Sequence, residues 1–209
     1  MATALFLIQT ICTLVFGGSQ FVQLLYTTQS VSVTWYASWL VFLVLNVAIE
    51  MRAHHNSPSK STHLSIFSYL LWTAVVMLDM SVIVWRGIVR WSDYDVLTIM
   101  IVLAGMIVTL GASTFFKRGI FDPIVHGLFA TFFKTVPQCI MAYTILQKGR
   151  EELTAVAIVV GHITILTRLG QLAYSIRVDR QERNRIGSAI SEVGNWLSWL
   201  LVTLAWLAR

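Results

Sequence analysis

Five ionisable side chains stand deep inside otherwise apolar stretches of this chain: Asp79, Lys134, His162, Arg168 and Glu192. An ionisable group near the centre of a bilayer costs about 2.5–3.5 kcal/mol on insertion scales, so each needs a chemical reason to be there. Helical spacing sorts them with polar neighbours. Arg168 shares a stripe with Thr164, Gln171 and Ser175, Lys134 shares a face with Thr131 and Gln138, and Glu192 lies with Asn195, Trp196 and Trp199. Two further stripes carry Gln9, Thr13, Gln20 and Gln23, and Trp35, Trp39, Asn46 and Glu50. Glu50 stands near the end of its stretch and reads as reaching the membrane interface. Stripes of this kind turn toward the interior of a helix bundle, because lipid offers no hydrogen-bond partner.

Two chemistries compete for these residues. In one, they are interhelical glue, with Asp79 neutralised by Lys134 or Arg168. In the other, they line a path for a small polar or anionic solute. Arg168 and Lys134 then hold an anionic group, and Asp79 or His162 carries a coupled proton, an imidazole being able to titrate near neutral pH. His162 projects roughly 120° away from Arg168 on a helix of 3.6 residues per turn, so the two need not share one site. Trp72 falls on the face of Asp79, and the deep Trp39, Trp72, Trp196 and Trp199 can stack on a ring-shaped solute or simply pack. The expected solute-binding set is Arg168, Asp79, Lys134, Asn195, Trp72, Trp199, Asn46 and Gln171.

Catalytic and cofactor chemistry find no footing. No nucleophile elbow, zinc-protease helix or glycine-rich phosphate loop is present. His54, His55 and His63 have no carboxylate or cysteine complement, so no metal is expected, and no cofactor. Cys12 and Cys139 read as small core residues.

The elements that must position these groups are membrane helices. Hydrophobic residues make up 56% of the chain and charged residues 12%, against about 25% charged in a soluble domain. Positions 1–49 contain no charged side chain, room for two spans of about 20 residues. Seven spans are expected, roughly Thr3–Tyr26, Val33–Met51, Leu64–Ile88, Val96–Phe116, Phe121–Leu146, Leu153–Ile176 and Ala189–Ala208. The first reads as a span rather than a removed signal peptide, since it lacks a basic leader. The loop RAHHNSPSKSTH is expected to be mobile. The net charge of +5 lies mostly in loops, where it fits orientation signals and lipid headgroups better than nucleic acid. Loops on the N-terminal side hold eight Lys or Arg against five on the other side, which places the N-terminus in the cytoplasm.

Pro137-Gln138 is the most specific pair. Pro137 lies in the middle of TFFKTVPQCIMAYTILQKG, where a proline removes a backbone donor and kinks or breaks a helix. GGSQFVQLLYTTQS, around Ser19-Gln20, echoes it in the first span. With the motif in spans one and five, the chain divides as three, one and three. The fourth span, VLTIMIVLAGMIVTLGAS, is bland enough to be a linker that leaves the two triplets parallel.

These features resemble the PQ-loop superfamily, which includes the SWEET sugar transporters, cystinosin-like exporters and the KDEL receptors. The resemblance covers nearly the whole chain and departs at Ser19, where the family pattern has proline. It implies an all-α polytopic protein: a triple-helix bundle over 1–88, a linker helix over 89–118 and a second bundle over 119–209. It further implies a solute path between the bundles and hinges at Pro137, Gln138 and Gln20. Relatives of the SWEET kind imply an N-terminus opposite to the charge count. The expected function is alternating-access transport of a small polar solute. The alternatives are a cargo or signal receptor on the same fold, or an intramembrane lipid-handling enzyme using His162, Arg168 and Asp79. A bacterial inner membrane is the expected location, with membrane lipids as neighbours and a monomer or a homo-oligomer as the working unit.

Overall fold

A computed structural model describes residues 2–27, 31–119, 122–149, 153–178 and 185–209. Among them run seven α-helices: α1 (Ala2–Tyr26), α2 (Val33–Asn56), α3 (Lys60–Arg86), α4 (Asp93–Phe115), α5 (Pro123–Lys148), α6 (Ala155–Val178) and α7 (Ile186–Leu207). The first six are long and apolar enough to cross a membrane. The seventh misses that mark because Glu192, Asn195 and several serines and glycines interrupt its apolar residues.

Burial runs inside-out relative to a water-soluble bundle. On α1, Leu7, Ile11 and Leu14 are more than half exposed, whereas Gln9, Thr13 and Gln20 are buried. Apolar atoms facing outward and polar atoms facing inward are stable only where the surroundings are hydrocarbon. The chain is a helical membrane protein.

Six helices form a ring. Neighbours around it are α1, α3, α2, α5, α7 and α6, which returns to α1, while α4 packs outside against α5. The closest approach is α5 on α7, where Gly127 meets Gly187 backbone to backbone. A Cβ on Gly127 would lie 2.4 Å from the Gly187 carbonyl oxygen, and small residues are what permit such contact in lipid. α1 and α3 run side by side in register: Phe16 touches Trp72, Gly17 faces Val75, and Arg86 Nη1 donates to the Leu24 and Thr27 carbonyls at 2.8 and 2.9 Å.

Two connections differ from expectation. The histidine-bearing segment is largely helical, since α2 runs through to Asn56 and α3 begins at Lys60. Ser59 caps α3 reciprocally with Thr62, and His54 Nδ1 lies 2.7 Å from Thr62 Oγ1, which fixes the segment by hydrogen bonds. The α1–α2 and α3–α4 connections are joined by a short parallel pair, β1 (Val31–Ser32) with β2 (Val89–Arg90). Asp95 clamps them, accepting from Ser32 Oγ at 2.6 Å and from the Ser92 backbone N at 2.7 Å. Pro137 does not break its helix: α5 is continuous through it.

Candidate functional site

All six ring helices send side chains to one central cavity of about 50 Å³, room for a few water molecules. One wall is aromatic. Phe16 from α1 touches Trp39 from α2, Trp72 from α3 and Trp199 from α7 at ring-centroid distances of 5.6, 5.3 and 6.2 Å. Trp35 and Trp72 each contact Trp39, at 5.1 and 5.2 Å. Gly161 on α6 makes room for the Trp199 indole, whose Nε1 donates to the Ile158 carbonyl at 3.3 Å. Lys134 on α5 closes this wall, with Nζ 3.6 Å from the centroid of the Trp39 ring. A cation over an indole face is attracted by the ring quadrupole. Lys134 is 5% exposed, and no carboxylate lies within ion-pair distance of its ammonium among the described residues.

The other wall is a chain of polar partners. Tyr69 OH lies 2.8 Å from Glu192 Oε1 and 3.2 Å from Asn46 Oδ1, so its single proton goes to the carboxylate. Asn195 Nδ2 donates to the second Glu192 oxygen at 3.0 Å. Gln138 Nε2 donates to Asn195 Oδ1 at 3.1 Å, and the Ser198 hydroxyl donates to Gln138 Oε1. The motif glutamine is therefore bonded at both ends of its amide, and all of its partners are on α7.

Beyond this wall lies a buried ion cluster. Arg168 Nη2 donates to Glu50 Oε1 at 2.9 Å, Nη1 to Ser65 Oγ at 2.7 Å and to Gln171 Oε1 at 3.2 Å, and Nε to Tyr69 OH at 3.3 Å. Arg185, immediately before α7, reaches the same carboxylate with Nε 3.0 Å from Glu50 Oε2. Its Nη1 also donates to Ser61 at 2.9 Å and to Ser175 at 2.6 Å. A carboxylate between two guanidiniums, with serine hydroxyls on the remaining N–H groups, is the geometry that makes a buried ion pair tolerable. The cluster ties α2, α3, α6 and the start of α7 together.

The sequence-based expectations divide on this geometry. Arg168, Lys134, Asn195, Trp72 and Trp199 line the cavity. Asn46 and Gln171 stand just behind it, bonded to Tyr69 and Arg168. Asp79 does not line it. Its carboxylate is buried with neither oxygen hydrogen-bonded, and it pairs with neither Lys134 nor Arg168. His162 is also apart, with Nε2 2.8 Å from Thr203 Oγ1. Thr203 directs its own proton to the Trp199 carbonyl, so the imidazole donates through Nε2. Glu50 is fully buried instead of reaching the interface, because Arg168 and Arg185 both pair with it. Arg185 in turn is no loop charge, which narrows the eight-to-five charge count to seven. Gln20, expected as the first hinge residue, has its amide nitrogen buried without a partner. Gln9, expected on an inward stripe but not in the solute-binding set, lines the cavity, whereas Tyr69 and Ser65 are expected neither there nor on a stripe. The signal for those two is the spacing of Ser61, Ser65 and Tyr69, one polar face of α3 opposite Arg168.

Comparison of the chain with protein-family models, curated proteins and solved structures returned no match.

Proposed function

We propose that the chain is a transporter that moves a small polar solute by alternating access between two triple-helix bundles, α1–α3 and α5–α7, with α4 as the linker. The observation that carries this reading is the convergence of six helices on one tryptophan-walled cavity that also holds Lys134, Arg168, Glu192 and Asn195, inside an apolar shell. The order of neighbours supports the two-bundle division: α1 on α3 matches α5 on α7, α2 on α3 matches α6 on α7, and the cross-contacts α1 with α6 and α2 with α5 exchange under the same two-fold relation. A cavity of about 50 Å³ is too small for a sugar-sized solute, so the bundles must part to load it.

The hinge in this reading is Pro137-Gln138. Pro137 leaves the carbonyl one turn earlier without its helical donor, while Gln138 fastens the same turn to α7. Bending at Pro137 thus moves α5 and α7 together. The layout is that of PQ-loop and SWEET-like proteins, with bundles over 1–88 and 119–209, and seven short-looped helices in a bacterial inner membrane accord with it. The test is uptake by proteoliposomes of labelled sugars, nucleosides, amino acids and organic acids. Saturable uptake that Pro137→Ala slows supports transport; tight binding without uptake in any class identifies a receptor on this layout.

A further inference from the structure

The cavity's hydrogen bonds define what it lacks. Arg168, Glu192, Gln138 and Asn195 are bonded to protein partners. Groups on Lys134, Trp35 and Gln9 are not. Lys134 Nζ has an indole beneath it and no acceptor among the described residues. Trp35 Nε1 is a buried donor without a partner, and Gln9 Oε1 a buried acceptor without one. Both donors belong to the aromatic wall, since Trp35 contacts Trp39 and Lys134 lies over Trp39. Gln9, also in the lining, sits two helical turns from Phe16 along α1, about 10 Å away along the axis. Buried polar groups are expected to be paired, so unpaired ones that line a cavity outline a missing ligand.

Charge gives the same outline. Around the cavity stand the cations Lys134, Arg168 and Arg185 and the carboxylates Glu50 and Glu192. Glu50 is shared by the two arginines, and Glu192 is held by Tyr69 and Asn195. The cations outnumber the carboxylates by one, and Lys134, whose ammonium faces the cavity, has no carboxylate within ion-pair distance among the described residues. Burying such a charge unpaired is costly, and an anionic ligand supplies the partner.

We propose that Lys134 and Trp35 form an anion subsite on the tryptophan wall, and that the solute is a small ring-bearing carboxylate. Its carboxylate accepts from Lys134 Nζ and Trp35 Nε1, its ring lies against Trp39 and Trp72, and its other end faces the amide of Gln9. This rests on the transporter reading for the opening that admits the solute and for what becomes of it. Arg168, the more obvious anion ligand in the sequence, has four of its five N–H groups directed to Glu50, Ser65, Gln171 and Tyr69.

The experiment is a thermal-shift and tryptophan-fluorescence titration of the purified protein with isosteric pairs: benzoate against benzamide, and nicotinate against nicotinamide. The carboxylates are expected to raise Tm and shift the indole emission, and the amides to do neither. Lys134→Met is expected to weaken carboxylate binding about tenfold or more, since hydrogen bonds to charged groups are the strong ones. Trp35→Phe, which keeps the ring and removes the donor, should weaken it less. Equal binding of acid and amide, unchanged binding in both variants, or no binding of any ring carboxylate overturns the proposal. Should sugars or nucleosides bind instead, the anion subsite falls while transport stands. Should carboxylates bind but never cross a liposome membrane, the subsite stands and transport falls.

Discussion

Arg168 on α6 and Glu50 on α2 form an ion pair of 2.9 Å with essentially no solvent on either side chain. The two residues are far apart in sequence, and the pair crosses between the two proposed bundles. Arg185 shares the same carboxylate, so Glu50 is the pivot of the cluster. Removing one partner of a buried pair leaves an uncompensated charge and costs about 3–5 kcal/mol. Glu50→Gln strands two guanidiniums and should be the more damaging change, with folded yield and Tm falling sharply. Arg168→Gln leaves Glu50 with Arg185 and should fall less. The combined variant should recover part of the loss, which a double-mutant cycle on Tm in detergent would measure. If the double variant is simply additive, the contact carries no coupling energy.

The two motif glutamines make opposite predictions. Gln138 accepts from Ser198 and donates to Asn195, so Gln138→Leu leaves the buried Asn195 Oδ1 unpaired, while Ser198 keeps the Gly194 carbonyl as acceptor. An unsatisfied buried group costs about 1–3 kcal/mol, and Tm should drop accordingly. Gln20 has a buried amide nitrogen that pairs with nothing, and Gln20→Leu should be neutral or stabilising. Equal losses in the two variants would mean that the two halves are held alike at their glutamines.

Gly161 and Gly18 separate a packing effect from a helix-propensity effect. A Cβ at Gly161 would lie 2.6 Å from Trp199 Nε1, whereas one at Gly18 meets nothing within 4 Å. Alanine in a helix gains about 1 kcal/mol over glycine where space allows. Gly18→Ala should therefore raise Tm. Gly161→Ala should lower it, shift the tryptophan emission and weaken any ligand of the aromatic wall. A raised Tm for Gly161→Ala would show that Trp199 has room to move.

How much of this was legible in the sequence depends on which forces each residue answers to. The helices were, because their boundaries follow from apolar runs and flanking polar residues. The α2–α3 connection was not, since a histidine and serine run reads as loop until the Ser59–Thr62 cap is seen to start a helix there. Polar stripes identified the inward faces, and Arg168, Lys134, Asn195, Trp72 and Trp199 do reach the cavity. Partner choice was hidden. Nothing local in RVDRQERNR separates Arg185 from its basic neighbours, and Glu50 becomes a core residue only because α6 and the start of α7 deliver two guanidiniums to it. Long-range pairing is set by how helices meet, which spacing along one helix does not encode.

Asp79 carries the last prediction. It is buried on α3, two turns beyond the Phe16–Trp72 contact and one beyond Gly17–Val75, and neither carboxylate oxygen has a hydrogen-bond partner among the described residues. A buried carboxyl without partners is unfavourable for folding, so a residue of this kind is retained for what it does. Asp79→Leu removes the desolvation cost while filling a similar volume, and Tm should rise. If Asp79 carries the coupled proton of the transport cycle, the same variant should lose uphill uptake driven by a pH gradient in proteoliposomes yet keep downhill exchange. That combination, a more stable protein with uncoupled exchange, is what a functional site that trades stability for activity produces. A lowered Tm with coupling intact would instead make Asp79 a structural residue whose partner forms in another conformation.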